Sequence, residues 1–253
     1  MKKTFSAILF ATFAFVLSSG ASGTRYLIAD PATIRAQIPP PPADDSPAGM
    51  ADVETLLQVQ KDRTPEQVGR ARHVASHNCM QMGANLFGPE FTEKNLPLTE
   101  AFLRGLTMER RPLVLDLKKH WNRTRPYKRG LGIRPCVGLP AENDASYPSG
   151  HSSAAGLWAT IYGAALPEYE VLFQNEMRET MWGRVLGGVH YPTDTQAGKK
   201  IGVLIAKAIL ENPASRKPVA EMRAEIMAFL EARPEAIARA QKRLAEANAG
   251  SGR

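Results

Sequence analysis

The sequence predicts an all-α fold. No stretch alternates apolar and polar residues as a half-buried strand would, whereas apolar residues recur at helical spacing from Ala51 onward, with Pro, Gly and Asn marking the intervals between helices. The chain has 253 residues, enough for one sizeable domain but short for two, and it shows no internal repeat.

The first residues, Met1-Lys2-Lys3, are followed by an apolar run from Phe5 to Leu17 and then by small residues through Gly23. A basic start, a run short of comfortable bilayer length and a small-residue exit predict a signal peptide over residues 1–21, cleaved near 21–23. The mature chain is then expected to be periplasmic or secreted, with no membrane span. No cysteine lies at the exit to carry a lipid. Residues 22–50 are proline-rich, with Pro39 to Pro42 in a row, and favour extended polyproline backbone lying over the domain surface.

Residues 51–212 read as the main domain. Val53, Leu56, Leu57 and Val59 give an apolar stripe from Ala51, and Thr64-Pro65-Glu66-Gln67 starts a helix running to about Met82. Residues 83–97 read as loop. Leu98 to Met108 and Leu113 to Arg123 are expected as separate helices, divided at Arg111-Pro112, and residues 126–148 as loop. Ser149 to Leu166 is rich in small and apolar residues, Glu168 to Leu186 stops at Gly187-Gly188, and Pro192 to Glu211 is ended by Asn212-Pro213. Residues 213–253 predict two amphipathic helices interrupted at Arg233-Pro234, and a frayed tail. These helices could form an interface between copies or cover the core.

The formal charge is +7, and loss of Lys2 and Lys3 would take it to +5. Without basic runs interleaved with aromatics, nucleic acid is not the main partner expected; small acidic substrates are. An exported chain with two cysteines, Cys79 and Cys136, is expected to join them in a structural disulfide rather than leave free thiols.

Chemistry concentrates in three stretches. Lys118 and Arg125 are seven residues apart, nearly two helical turns, so they share a face if the helix persists; Pro126 argues that Arg125 stands at or beyond its end. Arg offers a rigid fork to two phosphate oxygens and Lys a mobile charge. A solvated basic face is the alternative, and Lys119, Arg123, Lys128 and Arg129 are assigned to one. In Pro148-Ser149-Gly150-His151, Gly lets backbone approach a ligand, and the amides opening the next helix favour an anion. Ser149 can donate to an oxyanion or simply cap the helix, which leaves His151 an exposed first-turn residue.

In Arg184 to Asp194 a carboxylate follows His190 by four residues. Such a pair fixes the ring tautomer and aims the other nitrogen's lone pair outward, or it is merely a buried, satisfied pair. His151, His190 and Asp194 could also hold a metal, but cations at the same point would repel it. The expectation is therefore a metal-free anion site with no cofactor.

Together and in this order, Lys118, Arg125, Pro126, Pro148, Ser149, Gly150, His151, Arg184, His190 and Asp194 resemble the pattern of the type 2 phosphatidic acid phosphatase (PAP2) superfamily. The signal-like start, the proline-rich segment and Arg63-Thr64-Pro65-Glu66 are most similar to its bacterial class A non-specific acid phosphatases. The resemblance, over roughly residues 40–212, implies a single-domain helical bundle of the PAP2/vanadium haloperoxidase type. It also implies hydrolysis of phosphomonoesters through a phosphohistidine on His190, oriented by Asp194. His151 would protonate the leaving oxygen, and Lys118, Arg125, Ser149, Gly150 and Arg184 would hold the phosphate. Phosphotransfer to alcohols would be a side activity and inorganic phosphate a product. One departure is Gly183, where the family usually has Ser. A vanadium-dependent haloperoxidase and a non-catalytic phosphate-binding protein are the rival readings.

Overall fold

The computed structural model describes residues 25–27, 30–141 and 144–250 as helix, turn and coil, with no strand among them. The signal peptide, its exit and residues 251–253 lie outside the described residues. A short helix, α1 (Pro31–Ala36), stands inside the proline-rich segment, capped by Asp30. The prolines after it run as coil over the surface, where Tyr147 donates its hydroxyl to the Pro39 carbonyl at 2.5 Å. Helix α2 (Pro47–Asp62) begins earlier than expected, because Ser46 caps it and Pro47 takes the first position.

Two helical expectations need correction. The helix from Pro65 is divided into α3 (Pro65–Ala75) and α4 (Cys79–Phe87), since the Asn78 side chain accepts the amides of Met80 and Gln81 at 2.9 Å and opens a new helix. Conversely, α5 (Pro97–Trp121) runs unbroken through Pro112. Proline removes one backbone donor there, but it lies on the exposed side, and Leu103, Leu106, Leu113 and Leu117 bury the opposite face on both sides of it.

The remaining helices are α6 (Gly150–Ala165), α7 (Glu170–Leu186), α8 (Pro192–Glu211), α9 (Arg216–Glu231) and α10 (Pro234–Gly250). α6 and α8 are the most intimate pair in the bundle, and α7 packs beside α6. A Cβ on Gly202 of α8 would come 2.2 Å from the Ser153 carbonyl oxygen of α6, so only glycine allows that approach. The contact fixes the start of α6 against the middle of α8. Met222, Ile226, Phe229 and Leu230 of α9 and Ala236 and Ala240 of α10 belong to the same apolar core as α5, α6 and α8. Arg239 and Arg243 of α10 donate to the carbonyls of Phe87 and Asn85 at 2.7 Å, closing the last helix onto α4. The C-terminal helices cover the core.

The expected disulfide is absent, and both thiols are free. Cys79 opens α4 inside the main core, where its carbonyl accepts the Tyr162 hydroxyl at 3.0 Å. Cys136 packs in a separate cluster by the end of α7, with Sγ 3.6 Å from the Leu186 carbonyl. Burial pushes the Cys79 thiol up to about 11, so it is an inert core residue.

Candidate active site

The three stretches converge. A chamber of about 310 Å³ is lined by Lys118, Arg125, Gly150, His151, Arg184 and His190, together with Asp144 and loop residues 138–140. α5 brings Lys118, then ends where Asn122 takes a left-handed conformation with φ 41°. That turn sends Arg125 back over the helix end instead of continuing the face Lys118 occupies. Arg125 is 2% exposed, and its Nη1 donates to the Val189 carbonyl at 2.7 Å and lies 3.2 Å from His190 Nε2.

His190 stands between α7 and α8. Its Nδ1 is 3.2 Å from Asp194 Oδ2, and a carboxylate can only accept, so Nδ1 carries the proton. Nε2 is left with its lone pair beside Arg125. Burial, then Arg125, Lys118 and Arg184, hold the ring well below its ordinary pKa, so it is neutral. These are the properties of an in-line nucleophile. Asp194 is fully buried, and it also accepts the Tyr191 amide at 3.0 Å.

Ser149 and Asp194 stand behind the chamber wall instead of lining it. Ser149 is fully buried and caps α6, accepting from the Ser152 amide at 3.3 Å and hydroxyl at 3.0 Å, while its own amide donates to the Asp194 carbonyl at 3.0 Å. That is the capping option of the sequence reading, with its hydroxyl proton still available. His151 is half-buried. Its Nε2 donates to the Ala75 carbonyl at 3.1 Å, so a further proton is taken up on Nδ1. Arg184 is 2% exposed, yet its Nε and Nη1 are buried with no partner among the described residues. A desolvated guanidinium with N–H groups free to donate beside a cavity suits an anion.

Sequence reasoning missed three side chains here. Arg123, assigned to the solvated face, is 7% exposed. It donates to Asp194 Oδ1 at 2.8 Å and Asp52 Oδ2 at 3.0 Å, with its guanidinium 3.9 Å over the Tyr191 ring. Burial works against its charge, but Asp194 and Asp52 outweigh it and raise its pKa. Asp52 of α2 also accepts the Thr193 amide at 3.0 Å. Asp144, from the loop, pairs with Lys118 at 3.0 Å and with Arg125 at 2.6 Å. No sequence signal marked Arg123, whose partner Asp194 lies 71 residues away, and none marked Asp144.

Residues 103–217 match the family model described as PAP2 superfamily. Every residue lining the small chamber except Ala75 falls within that matched stretch. The non-specific acid phosphatase of Salmonella typhimurium is 28% identical over 195 residues, covering 75% of this chain and 78% of that protein. The non-specific acid phosphatase of Providencia stuartii is 23% identical over 197 residues, covering 75% of this chain and 79% of that one. Among solved structures, a bacterial vanadium-dependent iodoperoxidase superposes with a TM-score of 0.58 at 16% identity, over 73% of this chain and 54% of that one. That likeness is one of fold.

Gly183 has a packing explanation. A Cβ there would lie 2.2 Å from Val74 Cγ2, because α3 and α7 touch at this point. Val is stiff at χ1, so a side chain at 183 overpacks the contact. Gly183→Ser is expected to destabilise the protein by roughly 1–3 kcal/mol, and Gly183→Ser with Val74→Ala to recover most of the loss. Chemical denaturation of the single and double variants measures this; a double variant as unstable as the single one would show that Val74 is not the obstacle.

Proposed function

We propose that this chain is an exported acid phosphatase that hydrolyses phosphomonoesters through a phosphohistidine on His190, without a metal. The observation that carries the reading is the cationic clamp: buried Arg184, whose Nε and Nη1 have no partner among the described residues, next to Lys118 and Arg125, around the lone-pair nitrogen of His190. The fixed cations supply the charge stabilisation that phosphoryl transfer needs. The acid phosphatases of Salmonella typhimurium and Providencia stuartii support the same reaction class.

In the first step, His190 Nε2 attacks phosphorus while the bond to the leaving oxygen breaks and His151 gives that oxygen its proton. Asp194 holds the Nδ1 proton and stabilises the charge arising on the ring. In the second step, neutral His151 takes a proton from water, the new oxygen attacks phosphorus, and the P–N bond breaks to return His190 and release inorganic phosphate. An alcohol replacing that water would give phosphotransfer. The phosphoramidate should be trapped by rapid quenching with radiolabelled aryl phosphate, followed by peptide mapping. Label on His190, with turnover undiminished by EDTA, is expected; label elsewhere, or turnover lost to EDTA and restored by a divalent metal, overturns the reading.

The histidines predict how the protein responds to pH. His151 must be charged to act as acid, yet burial, then Arg184, pull it down to about 4 in the free site. A bound phosphate dianion offsets those cations and raises it. The alkaline limb of kcat should therefore lie at higher pH than that of kcat/KM, with both on the acid side. Coincident limbs would argue against His151 as the acid. For stability the sign is fixed by the unfolded chain, whose histidines take up protons near their ordinary value of about 6.5. Folded His77 and His151 resist protonation until about 4, and His190 lies lower still. The stability they confer is complete above about 6.5 and is lost as pH falls towards 4. Thermal melts across this range should show the decline, and saturating phosphate should flatten it.

A further inference from the structure

A second and larger cavity, about 970 Å³, opens beside the phosphate chamber and shares Lys118, Asp144, Gly150 and His151 with it. His190 lines only the small chamber. In-line transfer puts the leaving oxygen on the side of phosphorus away from His190, and His151, its proton donor, faces both spaces. The leaving group therefore extends into the larger cavity.

That cavity has two kinds of wall. Val114, Leu115 and Trp158 supply an apolar one; Trp158 Nε1 already donates to Thr107 Oγ1 at 2.8 Å, so an apolar body can cover its ring. Arg110 supplies the other. It is 7% exposed; its Nη1 donates to Ser153 Oγ and to the Gly150 carbonyl, and among the described residues it forms no ion pair and its buried Nε has no partner. Burial, then the neighbouring Arg111, pull this guanidinium down to about 10. A desolvated cation without a counter-ion is costly unless an anion joins it.

We propose that Arg110 forms a second anion subsite, so that the preferred substrates are phosphomonoesters whose leaving group is an apolar body carrying another anionic group. The proposal rests on the phosphatase reading above. It explains why a cation stands buried with no ion pair among the described residues, while Asp144 pairs with Lys118 and Arg125.

The test compares 3- and 4-carboxyphenyl phosphate with the equally sized carbamoylphenyl phosphates, so that only charge differs. The mature protein should favour at least one carboxylate by about tenfold in kcat/KM, the scale of one desolvated charge-assisted hydrogen bond. Arg110→Gln should bring that ratio to about one, and Arg110→Lys should retain part of it; the ratio is read within each variant, so a general loss of rate through Gly150 does not enter it. Product inhibition of the unmutated protein by 4-hydroxybenzoate against 4-hydroxybenzamide gives a readout needing no variant. Equal rates and equal inhibition by both charge states would overturn the subsite, and a preference that survives Arg110→Gln would remove Arg110 from it. Absence of turnover on all these esters would sink the phosphatase reading, and the subsite with it.

Discussion

Replacing His190 with alanine is expected to lower kcat by a factor on the order of 10⁴ or more, the scale seen when a covalent nucleophile is removed. Inorganic phosphate should still bind, because Lys118, Arg125 and Arg184 remain around the chamber. Steady-state kinetics and calorimetric titration with phosphate separate the two effects. A rate within a hundredfold of the parent, or phosphate affinity lost together with rate, would mean that His190 binds the substrate instead of attacking it. The His190 ring is 1% exposed, so circular dichroism of the variant must first show a native fold.

The largest loss of stability is expected from Arg123→Met. Methionine has comparable length, but it leaves Asp52 and Asp194, 2% and 0% exposed, without their shared cation. Removing one partner from a buried ionic group costs about 3–5 kcal/mol, hence a fall in Tm of roughly 10 °C for a chain of this size. Adding Asp52→Asn should return part of that, since one of the stranded charges is gone. Activity should fall too, because Asp194 would then keep its hold on His190 with one oxygen unanchored. A variant as stable as the parent would show that water, not Arg123, satisfies the two carboxylates.

Arg123 also shows where the sequence stopped being legible. Motifs read along the chain assembled as expected: Lys118, Arg125, Gly150, His151, Arg184 and His190 share one chamber, and α8 spans Pro192–Glu211 as its proline start and Asn212-Pro213 exit predict. Local punctuation was legible because its physics is local. The partners of Arg123 were not, because Asp52 bonds Thr193 across 141 residues, and no spacing rule ties α2 to α8. Within a run of basic residues, nothing distinguishes a buried Arg123 from an exposed Lys119. Pro112 misled for the opposite reason: a strong local breaker was overridden by apolar packing along the buried face of α5. The cysteines misled through composition, which carries no information on the separate clusters where Cys79 and Cys136 pack.

The Asp144 carboxylate, lodged against Lys118 and Arg125, makes the chamber an ion exchanger on the proposed reading. A phosphate entering the chamber would trade places with a tethered anion, so its affinity would be the difference between two attractions and not the full pull of the clamp. Tight product binding would slow every turnover, and a resident rival anion counters it by competing for the same cations as phosphate departs. On that reading the loop carboxylate moderates how tightly the product is held.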